Sequence, residues 1–549
     1  MPDPGMQFIT NDGTSLEIHA DGYSSLLSAV RALDPAAIDA PCGGAGTCGK
    51  CRVRILAGEA GQPDEQERRI LGSGSIAEGI RLACRVKPSA GLVVRRAVAS
   101  GTAVIREGFS AMTGTPDPLL SGAGLYGVAV DIGTTTIAAY LVDFESHRVT
   151  ATASKLNSQR AYGADVIARI EYAGRDPANL AELASLVRGD AQDLVGQLLA
   201  KAGASAEGLR EISVVGNTTM LHLFAAVDPS GIAVAPFTPA FTGLRRESAS
   251  AYGFPWPGAI LTLGPSVAGY VGADIVAAIR AVGLEHRERL SLVLDLGTNG
   301  EMALGNRSGI IACATAAGPA FEGAAISCGT GGVAGAIDSL RWEEGRLVGT
   351  TIGGGTAIGV CGSGIIDAAA CLLRGGLIDE TGAMDEAWSA TGYPLSGGAG
   401  ASGSGSGGIR FSQADVRQIQ LAKAAVAAGI AAMLDEAGAG LDDIETVFLA
   451  GGFGSYLRPE SAAAIGLIPP ALLDRVETVG NAAGHGAVRM LLFRDEMASM
   501  SSLARAVRYI ELSGSDFFRD RFVEELFFPV PLDPVVPAAL AVPAGADRG

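Results

Sequence analysis

Residues Pro41 to Cys51 read PCGGAGTCGKC and place Cys42, Cys48 and Cys51 in a C-x5-C-x2-C run; Cys84 follows after a gap of 32 residues. Four thiolates can hold a [2Fe-2S] cluster, two on each iron. Three ligands wrapped around so small a core require a tight loop. Gly43, Gly44, Gly46 and Gly49 supply one free of Cβ clashes, and their N–H groups can point at the sulfurs. A zinc site and a disulfide pair are the rival chemistries. Four-cysteine zinc sites use two short C-x2-4-C pairs, whereas here one gap is five and the last ligand stands alone. A disulfide would imply an oxidising compartment. The spacing favours the cluster.

A second chemistry is written twice. Tyr126 to Phe144 reads YGVAVDIGTTTIAAYLVDF, and Leu290 to Asn306 reads LSLVLDLGTNGEMALGN. Each copy is an apolar run, then Asp, an aliphatic residue, Gly and Thr, then a second apolar run. The pattern predicts a strand, a tight glycine turn and a return strand. Glycine permits the turn and a close backbone approach. Gly133 with Thr134, Thr135 and Thr136, and Gly297 with Thr298 and Asn299, can aim N–H groups and hydroxyls at phosphate oxygens. Asp131 and Asp295 can face a magnesium ion through water, and are the candidate catalytic carboxylates together with Glu301. Glu301 is read either as a group that orients water or metal, or as a solvated strand residue.

The echo continues in order. EISVVGNTTMLHLF follows the first hairpin and ETVFLAGGFGSYL the second; then come GYVGAD from Gly269 and GNAAGHG from Gly480, each opening a helix of small residues. Small residues let two helices approach closely, as a hinge between lobes requires. Across residues 126–495 this order resembles the actin, sugar-kinase and Hsp70 ATPase superfamily, of ribonuclease H-like fold. The resemblance implies two α/β lobes that clamp ATP and Mg2+, with Gly451, Gly452 and Phe453 lying along the adenosine. Asn217 and Asp274 could contact a phosphate or metal, or cap helices; for Asp274, ahead of an apolar run, capping is the preferred reading. Glu322 is read as facing the cleft or forming a structural salt bridge. His222 and His485 are single histidines among apolar neighbours.

The elements that must position the cysteines are also visible. Phe8 to Thr10 and Leu16 to Ile18 flank a turn at Asn11-Asp12-Gly13-Thr14; Leu26, Leu27 and Val30 suggest a short helix; Arg52 to Leu56 alternates as a strand. Residues 5–95 resemble a plant- or adrenodoxin-like ferredoxin on an α+β β-grasp fold. The first gap, five residues where plant ferredoxins have four, matches the adrenodoxin-like members.

The chain has 549 residues, of which 48% are hydrophobic, so several well-cored domains are expected. The net charge of −17 argues against nucleic acid as a partner. There is no uninterrupted apolar run of membrane-spanning length, and Ala424 to Leu434 reads as a short buried helix. The beginning, MPDPGMQFITNDG, is unlike a signal peptide, so a cytoplasmic location with no membrane contact is expected. Cys313, Cys328, Cys361 and Cys371 read as small buried hydrophobes, with a second metal centre as the alternative and Cys361 nearest a nucleotide loop. The expected organisation is a ferredoxin-like domain over 1–95, a linker over 96–124, ATPase lobe one over 125–290, lobe two over 291–500, and a terminal strap and tail over 501–549. The GGAGASGSGSGG stretch, 397–408, is expected to be a surface loop.

Nearly end to end, the chain resembles the reductive activators of corrinoid proteins. The carrying residues are the PCGGAGTCGKC loop with Cys84, DIGTTT, VVGNTTM, DLGTNGE, AGGFG and VGNAAGHGA. Membership implies that an electron passes from the cluster to a corrinoid protein of a methyltransferase system, returning Co(II) to Co(I) with the help of ATP. The electron donor is left open, as is the oligomeric state, a homodimer included. Other classes fit part of the pattern: a small-molecule kinase, a ferredoxin-type carrier with a nucleotide-sensing domain, and an activator of radical dehydratases.

Overall fold

The computed structural model describes residues 5–9, 15–18, 22–33, 37, 38, 40, 44, 46, 51–96, 116, 117, 122–395, 408–451, 457–531 and 533–535. Cys42, Cys48, Gly452, Phe453, most of the expected linker and nearly all of the glycine-serine stretch lie outside them.

The front of the chain forms a five-stranded mixed sheet in the order Ser15–Ile18, Met6–Ile9, Val93–Arg96, Arg52–Ala57, Ile80–Leu82. Met6–Ile9 pairs antiparallel with Ser15–Ile18, Phe8 opposite Leu16, and parallel with Val93–Arg96. Alternation sends Met6 and Phe8 into the core beside Leu26, Leu27 and Val30 of the helix Leu26–Arg31. Ser25 caps that helix, its hydroxyl accepting from the Ser28 N–H at 3.2 Å. One buried ion pair braces the region before Cys84. Arg81 grips Glu67 bidentately with both contacts at 2.9 Å, and Glu67 also accepts from the Leu82 N–H at 2.7 Å.

The paired hairpins become two six-stranded sheets of matching order. The first runs Arg245–Ser248, Ile260–Leu263, Leu209–Gly216, Tyr126–Ile132, Thr136–Asp143, Arg148–Leu156; the second runs Val476–Gly480, Ile444–Ala450, Leu290–Leu296, Gly300–Asn306, Gly309–Thr315, Arg508–Tyr509. In both, the strand that bears the key aspartate pairs antiparallel with its hairpin partner and parallel with a later strand. Asp131 lies opposite Val215, and Asp295 opposite Ala450. The following glycine repeats as well: a Cβ at Gly216 would meet the Ile132 carbonyl at 2.6 Å, and one at Gly451 the Leu296 carbonyl at 2.7 Å. The second sheet therefore takes its last strand from Arg508–Tyr509.

Two helices join the lobes, Ala273–Val282 and Ala482–Leu492. They cross at Gly486, where a Cβ would lie 2.3 Å from the Ala277 carbonyl oxygen. Gly484 fits equally tightly under the Tyr140 ring, 2.5 Å from the nearest ring atom. Both helices join one apolar core that mixes Val128, Val130 and Leu141 of the first sheet with Val293 and Ala303 of the second. Beyond the crossing, Glu496 ties them together. It accepts from Arg280 at 2.6 and 2.9 Å and from Arg489 at 3.0 Å. Burial pushes the Glu496 carboxyl up, but these bonds outweigh it and hold the group below its ordinary value. A second core fills lobe two around the helices Gly362–Arg374 and Gln413–Ala437. The terminal strap closes over the latter: buried Lys423 donates to the Phe527 carbonyl at 2.6 Å, and Phe528 is buried beside it. No helix among the described residues is long and apolar enough to cross a membrane.

Gly486→Leu should force the two helices apart. Over-packing costs about 1–3 kcal/mol, so urea unfolding of the full chain should show a lower midpoint for the ATPase transition. An unchanged midpoint would show that the crossing is looser than described.

Candidate functional site

At the cleft between the lobes, each hairpin turn is built by its own bonds. Gly133 N–H donates to the Thr136 carbonyl and Gly297 N–H to the Asn299 carbonyl, both at 3.0 Å. The reason for glycine differs between them. A Cβ at Gly133 would stand 2.6 Å from the Thr136 carbonyl, so backbone crowding requires glycine there. A Cβ at Gly297 would meet nothing closer than the Glu322 carboxylate at 3.7 Å, so that turn is bare toward the cleft. Gly451 has φ +98°, and a Cβ there would lie 2.8 Å from the Asp295 carboxylate. Its glycine identity lets Asp295 fold against the strand end.

Besides Glu322, four carboxylates share this cleft. Burial raises Asp131 to about 6, an effect that the hydrogen bond from Asn481 at 2.7 Å partly offsets. Burial raises Asp295 to about 8, and the charges of Asp274 and Asp131 add to it. Glu301, only 7% exposed, is held well above its ordinary value by burial and by Asp274 and Asp295. It faces Asp295 across the hairpin register, so the reading of a solvated strand residue is corrected. Asp274 is the fourth: burial raises it to about 7, the Ile275 N–H lowers it and Asp131 raises it. Sequence reasoning favoured Asp274 as a helix cap. The cap position belongs to Gly272, which makes no side-chain bond; Asp274 takes the Ile275 N–H at 2.8 Å from inside the first turn. Among the described residues no three of these groups could ligate one metal ion directly. A hydrated magnesium ion suits such a set, because its charge relieves the mutual repulsion while water bridges the gap.

The threonines divide their work. Thr134 is buried, its hydroxyl accepting from Asn217 Nδ2 at 3.1 Å and its carbonyl from the guanidinium of Arg169. Asn157 Nδ2 donates to the Gly133 carbonyl at 3.0 Å. Asn217 also caps the helix Thr218–Ala225, accepting from the Met220 N–H at 2.9 Å. Arg169 is fully buried and brought down to about 9 by burial and by Arg160, against the pull of Glu322. Thr135 and Thr298 instead point at each other, hydroxyl to hydroxyl at 3.3 Å, and both donate to Glu322. Glu322 therefore faces the cleft. Asn157 and Arg169 escaped sequence reasoning, because nothing in their local pattern marks them; only the fold brings them under the first turn. His222 is structural, its ring accepting from the Ala240 N–H at 3.1 Å.

At the other site, the segment after Ile80–Leu82 turns back so that the Ala83 N–H meets the Cys51 carbonyl at 2.8 Å. This sets the Cys51 and Cys84 sulfurs 3.4 Å apart, with no disulfide between them. A tetrahedral centre with metal–sulfur bonds of about 2.3 Å holds two thiolates about 3.7 Å apart, so the pair suits two ligands on one iron. The other cysteines are dispersed. Cys313, Cys361 and Cys371 are buried, and burial pushes the Cys371 thiol up to about 12. Cys361 packs with Val333 and Ala336.

Comparison with known proteins agrees with this geometry. Residues 9–89 match the 2Fe-2S iron-sulfur cluster binding domain, 126–287 the RACo middle region, and 289–536 the C-terminal domain of RACo, the ASKHA domain. The corrinoid activation enzyme RamQ of Eubacterium limosum is 34% identical over 423 residues, 74% of this chain and 70% of that protein. The chain belongs to the family of reductive activators of corrinoid proteins. A second such relative, the [Co(II) methylated amine-specific corrinoid protein] reductase of Methanosarcina barkeri, is 24% identical over 74% of this chain and 77% of its own. The solved structure of a reductive activator for corrinoid, iron-sulfur protein superposes with a TM-score of 0.71 at 30% identity, covering 95% of this chain and 98% of that one. In this chain the β-grasp ferredoxin-like domain precedes a two-lobed ATPase of the actin, sugar-kinase and Hsp70 type.

The acidic cleft has a pH signature. Asp131, Asp274 and Asp295 keep protons in the fold at pH values where the unfolded chain has lost them. The folded state then binds more protons, so stability falls as pH rises from about 4 to 8. Melting of the metal-free protein across this range should show the decline, Asp295→Asn should make it shallower, and magnesium with nucleotide should reverse most of it. A flat profile would contradict the acidic cleft.

Proposed function

We propose that this protein is an ATP-dependent reductive activator that returns the Co(II) of a corrinoid protein to Co(I). The observation that carries the reading is the presence, in one chain, of a sulfur pair spaced for iron and a two-lobed cleft lined by four carboxylates and two threonine turns. A small-molecule kinase would leave the sulfur pair without a purpose.

Cys42, Cys48, Cys51 and Cys84 would hold the [2Fe-2S] cluster, which when bound supplies one electron for the cobalt. Asp131, Asp274, Asp295 and Glu301 would hold hydrated magnesium, which when bound neutralises charge on the phosphates. Thr135 and Thr136 from lobe one, with Gly297, Thr298 and Asn299 from lobe two, bind the phosphate oxygens. Thr134 fixes the shape of its turn, supported by Arg169 and Asn217 from beneath. By the resemblance to the ATPase superfamily, Gly451, Gly452 and Phe453 would line the adenosine. Because both lobes grip one nucleotide, binding draws them together about the helix crossing at Gly486. That motion changes the docked corrinoid protein or its cobalt ligation and makes the electron easier to accept. Such coupling requires only that the nucleotide bind the closed arrangement better. The protein works in the cytoplasm.

Two variants separate the halves of the machine. Asp295→Ala should keep the cluster absorbance and lower ATP turnover by at least about a hundredfold. Cys84→Ala should lose the cluster absorbance and keep ATP binding. Both should fail to reduce the cobalt of a Co(II) corrinoid protein. Cobalt reduction by either variant at the wild-type rate would reject the proposal.

A further inference from the structure

Glu322 sits where an anion is expected, yet it belongs to the protein. Its Oε2 accepts from Thr135 of the first turn and from Thr298 of the second, the latter at 2.7 Å. Those hydroxyls come from opposite lobes and stand 3.3 Å apart. The buried guanidinium of Arg169, which holds the Thr134 carbonyl, feels the charge of Glu322. Two converging hydroxyl donors with a buried cation behind them make an anion site.

The loop is built to hold Glu322 there. Phe321 is fully buried on one side. Gly323 on the other has φ +78°, and a Cβ there would lie 2.7 Å from the Thr330 carbonyl. A hydroxyl has one proton to donate. While Thr135 and Thr298 donate to Glu322, neither can donate to another oxygen.

We propose that Glu322 is an internal stand-in for the terminal phosphate of ATP, and that this residue makes the protein distinguish ATP from ADP. The inference rests on the nucleotide reading of the cleft. In the nucleotide-free protein, Glu322 spans the two threonines and links the lobes. The terminal phosphate of ATP claims the same two hydroxyls and expels a carboxylate of like charge. The displaced Glu322 pulls on the loop between Phe321 and Gly323, so arrival of that phosphate is transmitted into lobe two. ADP lacks this phosphate and leaves Glu322 in place.

The test is equilibrium binding of a non-hydrolysable ATP analogue and of ADP to the full-length protein, with magnesium present. Glu322→Ala removes the internal competitor, so the ATP analogue should bind about tenfold tighter, as expected for loss of one charge-assisted competitor. ADP affinity should change less than about twofold on the same scale. Glu322→Gln keeps the shape and loses the charge, and should fall between wild type and Glu322→Ala. Cluster absorbance and melting temperature report that each variant is folded. Affinities for both nucleotides that move together, or weaker binding of the ATP analogue, would overturn the stand-in role. Failure of the wild-type protein to bind either nucleotide would overturn the nucleotide reading itself and this inference with it.

Discussion

Four carboxylates pressed into one cleft repel each other, and the architecture depends on how that repulsion is answered. Among the described residues no lysine or arginine forms an ion pair with Asp131, Asp274, Asp295 or Glu301; relief comes from neutral donors, the amide of Asn481 on Asp131, the Ile275 N–H on Asp274 and the amide of Asn299 on Glu301. A cleft left this way is satisfied by protons at low pH and, in the function proposed, by a cation with its nucleotide at neutral pH. Two of the four come from strands that repeat the same hairpin, one from the return strand of the second hairpin, and one from a connecting helix. A ligand that neutralises them must therefore touch both lobes and the helix between them.

The same logic explains where rigidity lies. Gly486 against Ala277 and Gly484 against Tyr140 bring the connecting helices and the first sheet into backbone-level contact, while Glu496 clamps Arg280 and Arg489 beyond the crossing. In the closure proposed, so tightly packed a crossing would serve as the pivot. Across the cleft, contact between the phosphate turns runs through Glu322 and two threonine hydroxyls, bonds that a ligand can replace.

Much of this was legible in the chain. The repeated Asp-x-Gly-Thr hairpins gave both sheets their centres, and the small-residue runs after Gly269 and Gly480 marked the crossing helices. The cysteine spacing pointed to a metal site, and the Cys51–Cys84 approach is consistent with it. What stayed hidden depends on long-range contact. Asp274 looked like a cap because its local pattern is that of a helix start; its charge matters only once Asp131 of the first hairpin and Asp295 and Glu301 of the second are brought near it. For Glu322 the choice between facing the cleft and forming a structural salt bridge stayed open, since its partners lie on two other segments. Arg169 and Asn157 carry no local signature, and only tertiary packing sets them beneath the first turn. Alternation and glycine patterns report backbone geometry; they say little about which polar side chains meet across 150 residues or more of sequence.

In the function proposed, lobe closure on a nucleotide is what lets the electron reach cobalt. The direct measurement is to mix fully reduced protein with a Co(II) corrinoid protein and follow the cobalt absorbance with and without magnesium and ATP. Co(I) should accumulate only when both are present. Co(I) formed to the same extent and at the same rate without nucleotide would contradict it.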